Sequence, residues 1–229
     1  MEEIHEVGRP NLTFFGNNVG TAMLLDEIKV YLDEVHNFIR VTNINLNSNK
    51  INGLDVETLE TLQYHFEHTQ GEILRKSIVI SIIIILESEI AVYCDTFKRF
   101  KNIAVSFKDF RGDLLDRFKL FSIKLLSSDF DFQSSLWQNI VGLYEIRNSL
   151  VHNSGSVSGF GKRKTIENFV KRNNSFSLDD NDQIIITHQG CLDSIQIVEK
   201  FFDEITEFAF RVFPEKFQPS PQDLEDFPF

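Results

Sequence analysis

Proline is scarce in this chain, and it is gathered at one end. Four of the five prolines lie in the last segment, "PEKFQPSPQDLEDFPF" (214–229), which is expected to be extended. The two cysteines, Cys94 and Cys191, are far apart and form no thiol metal knuckle or redox pair. That fits a reducing, cytoplasmic setting. "MEEIHEVGRPN" is acidic and has no apolar core, so a signal peptide is not expected. The longest apolar run, "SIVISIIIILESEIAVYC" (77–94), meets Glu87 and Glu89 before reaching the roughly 20 residues a bilayer needs. A buried helix is the expectation there, with no membrane partner. Tryptophan occurs once and tyrosine four times, against 23 phenylalanines, enough rings for a greasy core or a large interface.

The 229 residues suit one domain with appendages, and 42% hydrophobic with 25% charged residues is ordinary for a globular chain with a core. A net charge of −11 argues at first against nucleic acid. The distribution says otherwise. Residues 1–97 hold 15 acidic and 6 basic side chains, and 179–229 hold 12 and 3. Between them, 98–124 hold 8 basic against 3 acidic, and 147–172 hold 6 against Glu167 alone. Phosphate affinity follows local lysine and arginine, not the total. Solvated helix and loop faces are the plainer explanation of such clusters.

Three- and four-residue apolar spacing predicts an amphipathic helix over 21–41, and "TNINLNSNKINGLD" (42–55) reads as an Asn-rich loop. Mostly helix is expected from Val56 to about Phe97, with a break near Gly71. Further helices are expected over 112–126, 134–151 and 191–213. "NSGSVSGFGKRK" (153–164) reads as a loop. "FSLDDNDQIIIT" (176–187), with two extended runs about an acidic turn, reads as a hairpin. The fold class is therefore mainly α, a helical bundle with a small β-hairpin insertion before the last helix. Three parts are expected: an N-terminal helical extension (1–71), a helical domain (72–213) and an acidic tail (214–229).

One stretch carries a chemical pattern, "YEIRNSLVHNSG" (144–155). On a helix Leu143, Ile146 and Leu150 share a core-facing side, while Tyr144, Asn148 and His152 form a second stripe. Arg147 projects between them. His152 falls in the last turn, before the stop residues Asn153, Ser154 and Gly155. A guanidinium neutralises transition-state charge at a phosphodiester, and an imidazole moves the proton. The bare spacing is weak, since ten arginines and six histidines would produce it by chance about a quarter of the time. The helix end and the basic, glycine-bearing loop beyond it strengthen the pattern.

"RNSLVH" resembles the Arg-Asn-x-x-x-His signature of HEPN domains (higher eukaryotes and prokaryotes nucleotide-binding), and the helical layout over about 72–213 is similar too. The resemblance implies a HEPN-like bundle and a metal-independent endoribonuclease, a toxin or phage-defence effector that works as a homodimer. It implies that Arg147 holds the scissile phosphate, that His152 serves as general base or acid toward the ribose 2′-hydroxyl, and that Asn148 orients the imidazole or the phosphate. Glu87 and Tyr144 would support the site, while Lys162, Arg163 and Lys164 would bind RNA. No metal and no cofactor is expected. The partners implied are RNA, a second copy, and an antitoxin or other regulatory protein. The alternatives are a noncatalytic module for RNA, nucleotide or dimerisation, and a regulatory protein-interaction domain. A toxin subfamily silenced by nucleotidylation has tyrosine two positions after the histidine. Ser154 stands there, so that control is not expected.

Other patterns are weaker. His65 and His68 have metal-sharing spacing but no evident further ligand. "DDND" (179–182) lacks the glycine and final glutamate of a calcium loop and reads as a turn. "GSVSGFG" (155–161) has no Gly-Lys-Ser/Thr and is no phosphate loop.

Overall fold

Asp113, Ser134 and Thr187 each turn a side-chain oxygen onto a backbone N–H three residues ahead, at 2.9, 3.0 and 3.0 Å. A helix starts after each, because such a cap satisfies one of the donors that the first turn leaves orphaned. The computed structural model describes residues 10–47, 55–127 and 129–217. In chain order these form α1 (Pro10–Asn47), α2 (Val56–Tyr64), a π-helical turn (His65–Gln70), α3 (Gly71–Phe100), α4 (Leu114–Leu125), α5 (Ser135–His152) and α6 (Arg163–Arg172). Then come β1 (Phe176–Leu178), β2 (Ile184–Ile186) and α7 (His188–Val212). The molecule is mainly helical, with a two-stranded antiparallel hairpin ahead of the last helix.

The core is one continuous cluster in which α3, α5 and α7 pack on one another. Ile82, Ile83, Leu86 and Ile90 of α3 are wholly enclosed. By length and composition alone the helical run Val56–Phe100 contains a stretch apolar enough to cross a membrane; in this fold Ile78, Ile82, Ile83 and Ile90 of that run line a protein core, while Ile73 and Ile84 stay exposed. The abundant phenylalanines make aromatic clusters. Phe118, Phe130, Phe132, Trp137 and Phe201 meet mostly edge to face, with centroids 4.9 to 6.3 Å apart.

Several expectations need correction. Helix α1 runs through 42–47, where the asparagines read as a loop; residues 48–54 lie outside the described residues. The break expected near Gly71 is a π-helical turn that keeps the helix running from α2 into α3. No element was expected over 163–172, yet α6 occupies it and buries Ile166 and Phe169. Leu25 and Leu32 of α1 are each 1% exposed and belong to the core cluster. The tail begins with a short 3-10 turn at Pro214–Lys216, and residues 218–229 lie outside the described residues.

Candidate functional site

Helix α5 threads the middle of the bundle, against α3, α6 and α7. Its residues 142 to 146 are all buried, so no polar stripe survives there. This corrects the place of Tyr144. It is buried at 7% exposure, whereas Asn148 is half-buried and His152 exposed. The Leu114 backbone N–H at the start of α4 donates to its hydroxyl, and burial, with the Asp113 and Glu87 charges, holds that hydroxyl above its usual pKa. Close approach of α6 explains the neighbouring glycine. A methyl group at Gly142 would lie within 2.7 Å of Phe169 Cβ and Cγ.

The motif residues divide into two groups. Arg147 Nη2 donates to Glu87 Oε2 at 3.3 Å, and Nη1 donates to Asn148 Oδ1 at 3.2 Å. Asn148 Nδ2 in turn reaches Glu145 Oε2 at 3.5 Å. Arg147 and Glu87 keep 20% and 23% of their side-chain surface open, so the pair is reachable from solvent. Arg147 Nε is enclosed and has no partner among the described residues. His152 is exposed at the end of α5, its side chain has no hydrogen bond or ion pair among the described residues, and no side-chain contact joins it to Arg147 or Asn148.

Glu145 is a member of this cluster that the sequence pattern did not point to. It is 5% exposed, and desolvation raises its carboxyl pKa; Asn148 and Lys162 pull the other way, while Asp113 and Asp116 add to the rise. Its only signal in the sequence is its position three residues before Asn148 on a helix, where side chains meet. Glu87 pairs with Arg147 directly, Glu145 joins it through Asn148, and the Asp113 charge acts on Tyr144 and Glu145, so carboxylates surround this cluster.

The loop after α5 is tied at many points. Asn153 and Gly155 N–H groups both donate to Ser149 O at 2.9 Å, and Ile184 N–H donates to Gly155 O at 2.9 Å. Gly155 has φ +83°, where an L side chain would be strained. Among the three basic residues beyond, Arg163 is committed. It bonds both oxygens of Asp182 at 2.7 and 2.8 Å and Glu167 at 2.7 Å, fastening α6 to the hairpin turn. Lys162 and Lys164 are exposed. The acidic turn itself is built by Asp179 Oδ1, which accepts from Asn181 and Gln183 N–H.

Two surface hollows, of about 430 and 480 Å³, lie on α1 and between α1 and α3, and no motif residue lines either. No group of three or more His, Cys, Asp or Glu side chains poised to hold a metal ion occurs among the described residues. Comparison with known families, with curated proteins and with solved structures finds no match to this chain.

Proposed function

We propose that this chain is an endoribonuclease of the HEPN type, acting as a homodimer in RNA-directed defence or as a toxin restrained by a protein partner in the cytoplasm. The observation that carries the reading is the Arg-Asn-x-x-x-His stretch at the C-terminal end of a central bundle helix, with His152 open to solvent and Arg147 within reach of it. In this reading Arg147 leaves Glu87 for the scissile phosphate. His152 takes the 2′-hydroxyl proton, the 2′-oxygen bonds to phosphorus, and the P–O5′ bond breaks as the departing 5′-oxygen takes a proton from water, leaving a 2′,3′-cyclic phosphate. Asn148 orients the guanidinium, and Lys162 and Lys164 contact the RNA backbone. Because no side-chain contact among the described residues joins His152 to Arg147, the proposal has the second copy's motif across the same cleft.

The test is cleavage of RNA in EDTA by the wild-type chain and by His152→Ala and Arg147→Ala. Each substitution is expected to lower the rate about 10²- to 10⁴-fold while circular dichroism is unchanged. Undiminished cleavage by both variants overturns the assignment. The carboxylates around Arg147 favour a second reading, a noncatalytic module that binds RNA, nucleotide or a protein. Wild-type protein that binds RNA and leaves it whole selects that one.

A further inference from the structure

Helix α1 gives its inner side to α3 and α7, and no other described residues cover its apolar outer side. Met23, Val30 and Tyr31 are 60%, 58% and 52% exposed, and Ile73, across from them on α3, is 61% exposed. Single exposed apolar residues are ordinary, but a run of them along one side marks an interaction surface. The two hollows adjoin along this side and share Tyr31 as a wall. Met23, Val30 and Glu34 line the first, and Ile73, Leu74 and Ser77 line the second.

The rim of this surface is acidic. Glu27 and Glu34 flank Val30, and neither has a hydrogen-bond or ion-pair partner among the described residues. The nearby cation is already engaged, since Lys29 bonds Glu199 at 2.6 Å and Asp26 at 3.1 Å. We infer that the outer face of α1, with the first turns of α3, docks a basic amphipathic helix of another protein, apolar side chains in the two hollows and lysine or arginine against Glu27 and Glu34. From Met23 to Glu34 the face extends roughly 17 Å at 1.5 Å per residue, about three helical turns. A second copy is a poor occupant. Face to face it sets Glu27 and Glu34 against like charges, and this chain's own basic helix, α6, turns Ile166 and Phe169 inward. The inference is independent of the ribonuclease reading.

The experiment uses the full chain and a fluorescent synthetic helix with leucines at i, i+3, i+4 and i+7 flanked by lysines, read by anisotropy. Its counterpart carries glutamate in place of lysine. The lysine peptide is expected to bind saturably, more weakly as salt rises, and at least about tenfold better than the glutamate peptide. The double variant Glu27→Lys, Glu34→Lys is expected to lose at least tenfold, and Val30→Asp to abolish binding, with thermal melting unchanged because all three positions are exposed. No saturable binding of the lysine peptide, or equal binding of both peptides, overturns the inference. So does a dimer in sedimentation that Val30→Asp dissociates, or binding to phosphatidylcholine vesicles that Val30→Asp removes.

Discussion

The Arg147 guanidinium lies 3.3 Å from the Glu87 carboxylate, joining α5 to α3 between positions sixty residues apart. If Arg147 meets phosphate, Glu87 is its resting counter-ion and competes with RNA for it. Glu87→Gln is then expected to tighten binding of a short oligoribonucleotide several-fold in a filter assay and to cost about 1 kcal/mol of stability or less, as for a partly open ion pair. Affinity indifferent to the charge at position 87 would show that RNA does not draw on Arg147.

Burial raises the Glu145 carboxyl above its usual range. Between its ordinary value of 4.5 and its folded one, the native state keeps a proton that the unfolded chain releases, so stability falls as pH rises through that window. Above the window the full cost of a buried charge is present. Glu145→Gln should therefore melt higher than wild type at neutral pH. The gap should close below the ordinary carboxylate value, which a pair of thermal melts would reveal.

His36 sits beside His188, ring centroids 4.2 Å apart, while His188 Nε2 lies 3.2 Å from Asp33 Oδ1. Desolvation first, then the charges of His188, Arg75 and Arg40, hold the His36 imidazole below its ordinary 6.5, with Asp33 opposing. The unfolded chain thus takes up a proton that the folded one resists, and stability falls as pH drops below that value. His36→Gln should flatten the dependence of the urea midpoint on pH between about 8 and 5.5. An unchanged slope would mean that other groups set it.

Replacing glycine by alanine within a helix ordinarily helps by up to about 1 kcal/mol. At Gly142 the sign should reverse, with a loss of about 1–3 kcal/mol, because the new methyl group meets Phe169. Chemical denaturation of Gly142→Ala alone and with Phe169→Leu checks this, the second change returning part of the loss.

Phe118→Ala should cost about 3–5 kcal/mol, since the ring is wholly buried among other aromatics. Met23→Ala, on the outer side of α1, should stay within about 0.5 kcal/mol in the same denaturation experiment.

The elements read well from sequence are those with periodic apolar residues and a capping side chain. Helices expected over 112–126 and 134–151 occur as Leu114–Leu125 and Ser135–His152, and the hairpin and last helix are where their patterns put them. Helix α6 was hidden because it is short, has charged ends and buries just Ile166 and Phe169. The asparagines of 42–47 read as loop because asparagine is a poor helix former, but the cost per residue is small and an established helix extends through them.

The motif stretch shows both sides. Where Arg147, Asn148 and His152 fall along a helix was legible, since 3.6-residue periodicity and stop residues are local properties of the chain. That Tyr144 and Glu145 lie buried, that Arg147 pairs with Glu87, and that Arg163 is spent on Asp182 were decided by how the helices pack. A helix has several faces, and only its neighbours settle which of them keeps its water.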